Sequence, residues 1–193
     1  MTRLPDDPMT SISLSALARV LPHRFPFLFV DQVAEFVPGQ RIVAIKHFSV
    51  DDQVARGNPP GVAIIPTGVI LELVTQVGAV LVMERPEMAG KIAMILHVPA
   101  ARILKPIEAG DTVRVEAEVV RMKAQFGELR GSIFRDGERV AEGQMRFGIA
   151  NAEDVMPGSR MNASAAEFRP SQIRIPRRPR PSPQGFGMTG QPR

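Results

Sequence analysis

The chain has 193 residues, 44% of them hydrophobic and 23% charged, which suits one globular domain with a short extension. It has no cysteine, which excludes disulfides and cysteine nucleophiles. Its three histidines leave few ligands for a metal site. Neither a metal nor an organic cofactor is implied by the sequence. In residues 1–150, 17 basic side chains balance 17 acidic ones, whereas residues 151–193 add seven arginines and only three acids. A nucleic-acid-binding body is therefore not expected.

The two ends of the chain differ in composition from its middle. The N-terminus, MTRLPDDPMT, lacks the basic and then apolar run of a secretion signal, and no apolar stretch reaches the roughly 18–20 residues of a membrane span, so a cytoplasmic location is expected. Residues 1–12 are predicted to be flexible and residues 13–150 to form the folded domain. Residues 151–193 carry seven of the 18 prolines and are predicted to form a disordered basic tail.

Local patterns predict a domain made mostly of strands. Ser13 can cap a short helix that runs through Leu21. Residues 113–119, VRVEAEV, alternate apolar and polar side chains as a half-buried strand does. Asp136-Gly137 is a strong hairpin signal between two further strands. The other predicted strands are PFLFVDQVAEF, RIVAIKHF, GELRGSIFR and ERVAEGQMRFGI.

Residues 66–85, PTGVILELVTQVGAVLVMER, interrupt the strands with one long helix. The segment begins with proline, which suits a first helical turn, and it is apolar on nearly every side. Such a helix has to be buried at the centre of the domain. The pattern therefore predicts an α+β fold in which an antiparallel sheet wraps around a central helix.

Glu72 is the ionisable side chain near the beginning of this helix. A carboxylate on an apolar helix is costly unless it is hydrogen-bonded, paired or functional, and Gln76 lies one turn later on the same face. We expect a carboxyl with a raised pKa that exchanges protons near neutrality. The alternative is that Glu72 faces a subunit interface or a solvent edge.

A glycine- and proline-rich loop, RGNPPGVAIIPTG, leads into the helix. Thr67 and Gly68 at the helix start present unpaired backbone N–H groups, which together with the helix dipole would stabilise an oxyanion on a thioester carbonyl. The alternative is a plain turn before a helix. This loop contains neither of the common phosphate-loop patterns.

From about residue 14 to 150 the chain resembles the FabZ-type 3-hydroxyacyl-[acyl-carrier-protein] dehydratases. The resemblance lies in LPHRFPFLFVDQV, PGQRIVAIKHFSV, the loop and helix just described, and ARILKPIEAGDTVRVEAEVV. It implies a hot-dog fold, a homodimer or trimer of dimers, and an acyl thioester ligand carried by coenzyme A or by an acyl carrier protein, which is then itself a partner.

The resemblance also implies roles for single residues. Family members carry GHFPGxPVMPGVLxxE, in which the histidine takes a proton from the substrate α-carbon and the glutamate protonates the departing hydroxyl. Glu72 matches that glutamate, whereas Asn58 stands at the histidine position and Thr67 at the glycine of the helix start. An asparagine amide orients groups by hydrogen bonds but is not a base at neutral pH.

Sequence reasoning assigns the role of a replacement base to none of the three histidines. His23 lies in PHRFPF, which the family also has and where it is not the base, so a structural role is predicted. His47 lies at a strand end and His97 in the strand after the helix, and both are expected to be ordinary, partly buried histidines.

Three functions remain open from the sequence. The first is a 3-hydroxyacyl thioester dehydratase that is altered at its base. The second is a thioesterase in which Glu72 activates water or attacks the thioester, Asn58 orients the water, and Thr67 and Gly68 form the oxyanion hole. The third is a non-catalytic protein that binds acyl thioesters, for example as a partner subunit of a mixed assembly.

Overall fold

A computed structural model describes residues 17, 18, 20–54 and 63–157. Six strands, two helices and one short 3₁₀ helix lie wholly within this part of the chain. They are β1 Gln32–Val37, β2 Arg41–His47, α1 Thr67–Met83, the 3₁₀ helix Pro86–Met88, β3 Lys91–Ile103, β4 Thr112–Lys123, β5 Phe126–Arg135, β6 Glu138–Asn151 and α2 Ala152–Val155.

The strands form one antiparallel sheet in the order β1-β2-β4-β5-β6-β3. The predicted hairpin joins β5 to β6, and Asp136 and Gly137 have φ values of 52° and 82°, as a two-residue turn of this kind requires. β3 pairs with β6 on one side, and no described strand pairs with its other side.

Helix α1 is buried against the curved sheet, which confirms the predicted α+β hot-dog fold. Its buried residues lie on several sides of the helix, from Ile70 to Val82. Two glycines allow the helix to approach β5 closely. A Cβ atom on Gly78 would lie 2.5 Å from Leu129 Cδ1, and one on Gly131 would collide with Val74.

The chain before β1 departs from the predicted strand. The run PFLFVDQVAEF predicts a strand from residue 26, but β1 begins only at Gln32. The reason is that the backbone at Phe27 and Phe29 bonds to the helix, and a bond to β2 is made only from Asp31, whose N–H donates to the Ile45 carbonyl at 3.2 Å. The Phe29 N–H donates to Gln76 Oε1, and the Phe27 carbonyl accepts from Gln76 Nε2.

The predicted boundaries are described only in part. The backbone at Leu17, Ala18 and Val20 is helical, and the Leu21 N–H donates to the Leu17 carbonyl at 2.9 Å, which confirms the described end of the first predicted helix. Ser13, residues 1–12 and residues 158–193 lie outside the described residues, so the predictions of a flexible N-terminus and a disordered tail stay predictions there. The predicted tail begins at residue 151, however, and for its first residues the prediction is wrong, because Asn151 ends β6 and Ala152–Val155 form α2. Within the described chain, no helix has both the length and the apolar content needed to cross a bilayer.

Candidate functional site

Three side chains hold the carboxylate of Glu72. Gln76 Nε2 donates to Glu72 Oε1 at 2.9 Å, and Thr75 Oγ1 donates to Glu72 Oε2 at 3.1 Å. His23 Nε2 lies 3.1 Å from Glu72 Oε1. The hydrogen bond predicted between Gln76 and Glu72 is therefore confirmed, and the contact with His23 is one that the sequence did not predict.

Gln76 connects the helix to the segment that carries His23. Its side chain is fully buried, and it bonds at once to the Phe29 N–H at 2.9 Å, the Phe27 carbonyl at 2.7 Å and Glu72. Since an amide has both a donor and an acceptor end, it satisfies two backbone groups of a segment that has left the sheet. The same bonds hold this segment against the early turns of α1, where His23 meets Glu72.

His23, Glu72 and Thr75 line one end of a cavity of about 320 Å³. The other lining residues are apolar and come from α1, β3, β5 and β6: Ala79, Val82, Ala93, Met94, Ile95, Leu129 and Phe147. A short polar end and a long apolar wall suit a ligand with a polar head and an alkyl chain.

The pKa of Glu72 lies below its ordinary value of 4.5. Burial raises it, but the hydrogen bonds from His23, Gln76 and Thr75 and the charge of His23 outweigh burial. The sequence prediction of a raised pKa is therefore wrong, because it counted the apolar helix and not the donors that converge on the carboxylate. In this arrangement Glu72 is ionised at neutral pH.

Two backbone N–H groups at the start of α1 have no acceptor among the described residues, and they lie one helical turn or more before Glu72. The N–H groups of Val69 and Ile70 donate to the Pro66 carbonyl. Within the described chain no acceptor bonds to the N–H groups of Thr67 and Gly68, both of which are exposed. A Cβ atom on Gly68 would meet nothing within 4 Å, so there is open space beside it.

The other predicted site residue, Asn58, lies outside the described residues, as do the loop glycines. The pairing of Asn58 with Glu72 therefore stays a prediction. Among the residues that are described, no three His, Asp or Glu side chains converge as metal ligands would.

The other two histidines do not line the cavity, and both are exposed, so the prediction that they are partly buried is wrong. His47 ends β2, and its Nδ1 lies 2.7 Å from Thr112 Oγ1. His97 lies on β3 opposite Arg146. His23 differs from both, because its Nδ1 is buried and has no hydrogen-bond partner among the described residues.

Comparisons with known proteins identify the family. A model of the FabA-like domain matches residues 21–144. The chain is 38% identical over 138 residues to a 3-hydroxyacyl-[acyl-carrier-protein] dehydratase FabZ of Symbiobacterium thermophilum, an alignment that covers 72% of this chain and 97% of that protein. The chain belongs to the FabZ-type dehydratase family. Another FabZ, from Enterococcus faecalis, is 36% identical over 72% of this chain and 98% of its own length.

Solved structures agree on the fold of this FabZ-type chain. The dehydratase heterocomplex ApeI:P from Xenorhabdus doucetiae matches with a TM-score of 0.62 at 19% identity, covering 72% of this chain and 94% of that one. Zebra fish thioesterase superfamily member 2 matches with a TM-score of 0.56 at 14% identity, and the match covers 71% of this chain and 94% of that one. The same fold thus carries proteins named for dehydration and for thioester cleavage, so the reaction has to be argued from the site.

Proposed function

We propose that this FabZ-type protein dehydrates 3-hydroxyacyl thioesters, carried by an acyl carrier protein or coenzyme A, in the cavity at Glu72. The observation that carries the proposal is an ionised carboxylate at the polar end of an apolar cavity, held by three side-chain contacts. The apolar wall would take the acyl chain. The relatives that share 36–38% identity are named as dehydratases of this class.

Dehydration removes a proton from the α-carbon and a hydroxyl from the β-carbon, and it yields a 2-enoyl thioester and water. As the α-proton leaves, negative charge develops on the thioester carbonyl oxygen. The open N–H groups of Thr67 and Gly68 would stabilise that charge, and Glu72 would transfer a proton. No metal or organic cofactor is needed for this chemistry.

Thioester hydrolysis is the second candidate, and the lowered pKa of Glu72 favours it. An ionised carboxylate is the form that activates a water molecule or attacks a thioester. In this case Asn58 would orient the water. Binding without catalysis, in a mixed assembly, is the third candidate and needs no proton transfer at all.

The exposed edge of β3 supports a dimer. The strand is 13 residues long, and Ile95, Leu96 and Val98 are exposed on it. A long apolar edge without a partner is a liability that pairing with a second copy removes. We expect a homodimer, or a trimer of dimers, in the cytoplasm. A monomer at micromolar concentration in sedimentation would contradict this assembly.

The experiment that separates the candidate functions compares three thioester substrates. Purified protein is incubated with 3-hydroxyacyl, 2-enoyl and saturated acyl thioesters of both carriers, and products are read by mass spectrometry. Water loss or gain indicates dehydration, release of free acid indicates hydrolysis, and binding without turnover indicates the third candidate.

Two variants sharpen this comparison. Asn58→His should raise dehydration at least tenfold if the protein is a dehydratase, and it should lower hydrolysis if the amide orients water. Glu72→Gln should lower either activity by about 10²-fold or more, because an amide can neither accept a proton as a base nor donate one as an acid. Unchanged turnover in Glu72→Gln would remove both catalytic candidates.

A further inference from the structure

We propose that His23 is the second proton-transfer group of this site and acts with Glu72 as a pair. The inference rests on the proposed dehydration. Nε2 of His23 lies 3.1 Å from Glu72 Oε1, and the two side chains are 30% and 29% exposed. Both line the same cavity, so both reach a molecule bound there.

Dehydration needs two groups, one that takes the α-proton and one that gives a proton to the leaving hydroxyl. Among the described residues that line the cavity, His23 and Glu72 are the ones that carry an imidazole or a carboxylate, the groups that most often act as general acid or base. The segment at residues 55–62, ARGNPPGV, contains no histidine, lysine, cysteine, aspartate or glutamate. The imidazole therefore has to come from elsewhere, and His23 already contacts the carboxylate.

The free Nδ1 of His23 argues against a purely structural role. Buried polar atoms nearly always find a hydrogen-bond partner, and an exception asks for an explanation. Nδ1 is buried and has none among the described residues, while Nε2 faces Glu72. A histidine that served only to fix the fold would be expected to use both ring nitrogens.

The reaction balances with one proton shared by the pair. The proposed cycle begins with the proton on His23 Nε2 and with Glu72 as a carboxylate. Glu72 takes the α-proton, the C–O bond breaks, and His23 Nε2–H protonates the leaving hydroxyl as a water molecule. The enoyl double bond forms between the two carbons. Glu72 then returns its proton to His23 Nε2 over 3.1 Å, which restores the pair.

Among the described residues, few other charges face this pair. From α1 it meets Thr75 and Gln76, both neutral, and the strands contribute only apolar residues to the cavity. Arg24, the next residue in the chain, places its guanidinium on the carbonyls of Leu21 and His23. The acid limb of the pH profile should therefore report on Glu72, and activity should fall at acid pH as this carboxylate is protonated.

The test compares His23→Gln with His47→Gln, a matched change outside the cavity, by kcat, KM and pH profile with a 3-hydroxyacyl thioester. We expect His23→Gln to lower kcat at least 100-fold with little change in KM. His47→Gln should keep the wild-type rate and profile. Exchange of the α-proton in D2O should persist in His23→Gln and be lost in Glu72→Gln, because Glu72 still takes that proton. Adding Asn58→His to His23→Gln should raise the kcat of the variant at least tenfold.

Each contrary outcome has one meaning. If the wild type dehydrates and His23→Gln stays within threefold with the same profile, His23 is not a catalytic group and the proposed function stands. If the wild type turns over none of the thioesters, the proposed function fails and the inference fails with it. If His23→Gln does not fold, His23→Asn is measured in its place, and a rate within threefold of the wild type likewise excludes His23 as a catalytic group.

Discussion

Replacing Gln76 by methionine should loosen the segment that carries His23 and raise the pKa of Glu72 together. Methionine has nearly the same length as glutamine and leaves no cavity, but it has no amide. The change therefore removes the bonds to the Phe29 N–H, the Phe27 carbonyl and Glu72 without altering the volume of the core.

The size of the effect follows from burial. Phe29 is 3% exposed, so its N–H loses its partner in a place that water does not reach, which costs about 1–3 kcal/mol. Phe27 is 56% exposed, so water can replace Gln76 at its carbonyl at little cost. We expect a loss of about 2 kcal/mol in the free energy of unfolding. For a chain of this length that corresponds to a fall in Tm of about 4–8 °C.

The assay is urea unfolding at neutral pH, together with the acid limb of the pH–rate profile. Burial still raises the pKa of Glu72 in Gln76→Met, while one of the hydrogen bonds that lower it is gone, so the acid limb should move to higher pH. Thr75→Val is the control, because it removes a bond to Glu72 and leaves the segment at residues 27–29 attached. It should move the acid limb in the same direction with little loss of stability. A wild-type urea midpoint for Gln76→Met would refute the role assigned to Gln76.

Three further predictions concern the rest of the chain. Gly78→Ala should destabilise the protein by about 1–3 kcal/mol, because its Cβ would lie 2.5 Å from Leu129 Cδ1, and an unchanged Tm would contradict the close approach of α1 and β5. Asp111→Asn should cost about 1 kcal/mol at pH 7. Burial raises the pKa of Asp111, but hydrogen bonds from the Glu108 N–H and Arg135 lower it overall. The stabilisation by the Asp111 carboxylate is therefore fully present above its ordinary pKa and is lost as pH falls through its pKa in the folded protein. A difference in stability between the wild type and Asp111→Asn that does not shrink as the pH is lowered would contradict this prediction. Truncation after residue 157 should leave the Tm nearly unchanged, and a fall of several degrees would show that the tail packs on the domain.

The sequence predicted those parts of the fold that short-range patterns determine. The hairpin at Asp136-Gly137 and the helix α1 depend on turn chemistry and on a continuous apolar segment, and both are confirmed. The predicted start of β1 was wrong because PFLFV has the composition of a strand but does not form one. Its backbone groups instead bond to Gln76, which lies 47 residues after Phe29. No local pattern shows that a distant side chain has replaced a neighbouring strand.

The same distinction applies to the site. Glu72 and Gln76 are four residues apart on a helix, so their hydrogen bond could be predicted from spacing. The contact of His23 with Glu72 spans 49 residues, and only the resemblance of PHRFPF to a family motif marked that histidine at all. The pKa of Glu72 was predicted in the wrong direction for the same reason, since burial raises it most but His23, from this distant segment, adds to Gln76 and Thr75 in lowering it overall.

The stability of the fold does not by itself require a charged pair at this point. An apolar residue at position 72 would pack on the cavity wall without the cost of burying a carboxylate, and buried ion pairs are often no more stable than apolar side chains of the same size. The chain instead carries a carboxylate with three partners, one of them an imidazole whose second nitrogen is buried with no partner among the described residues. That arrangement is poor for packing alone, but it keeps one exchangeable proton at the polar end of an apolar cavity. Proton transfer to and from a bound acyl group is the chemistry that makes use of it.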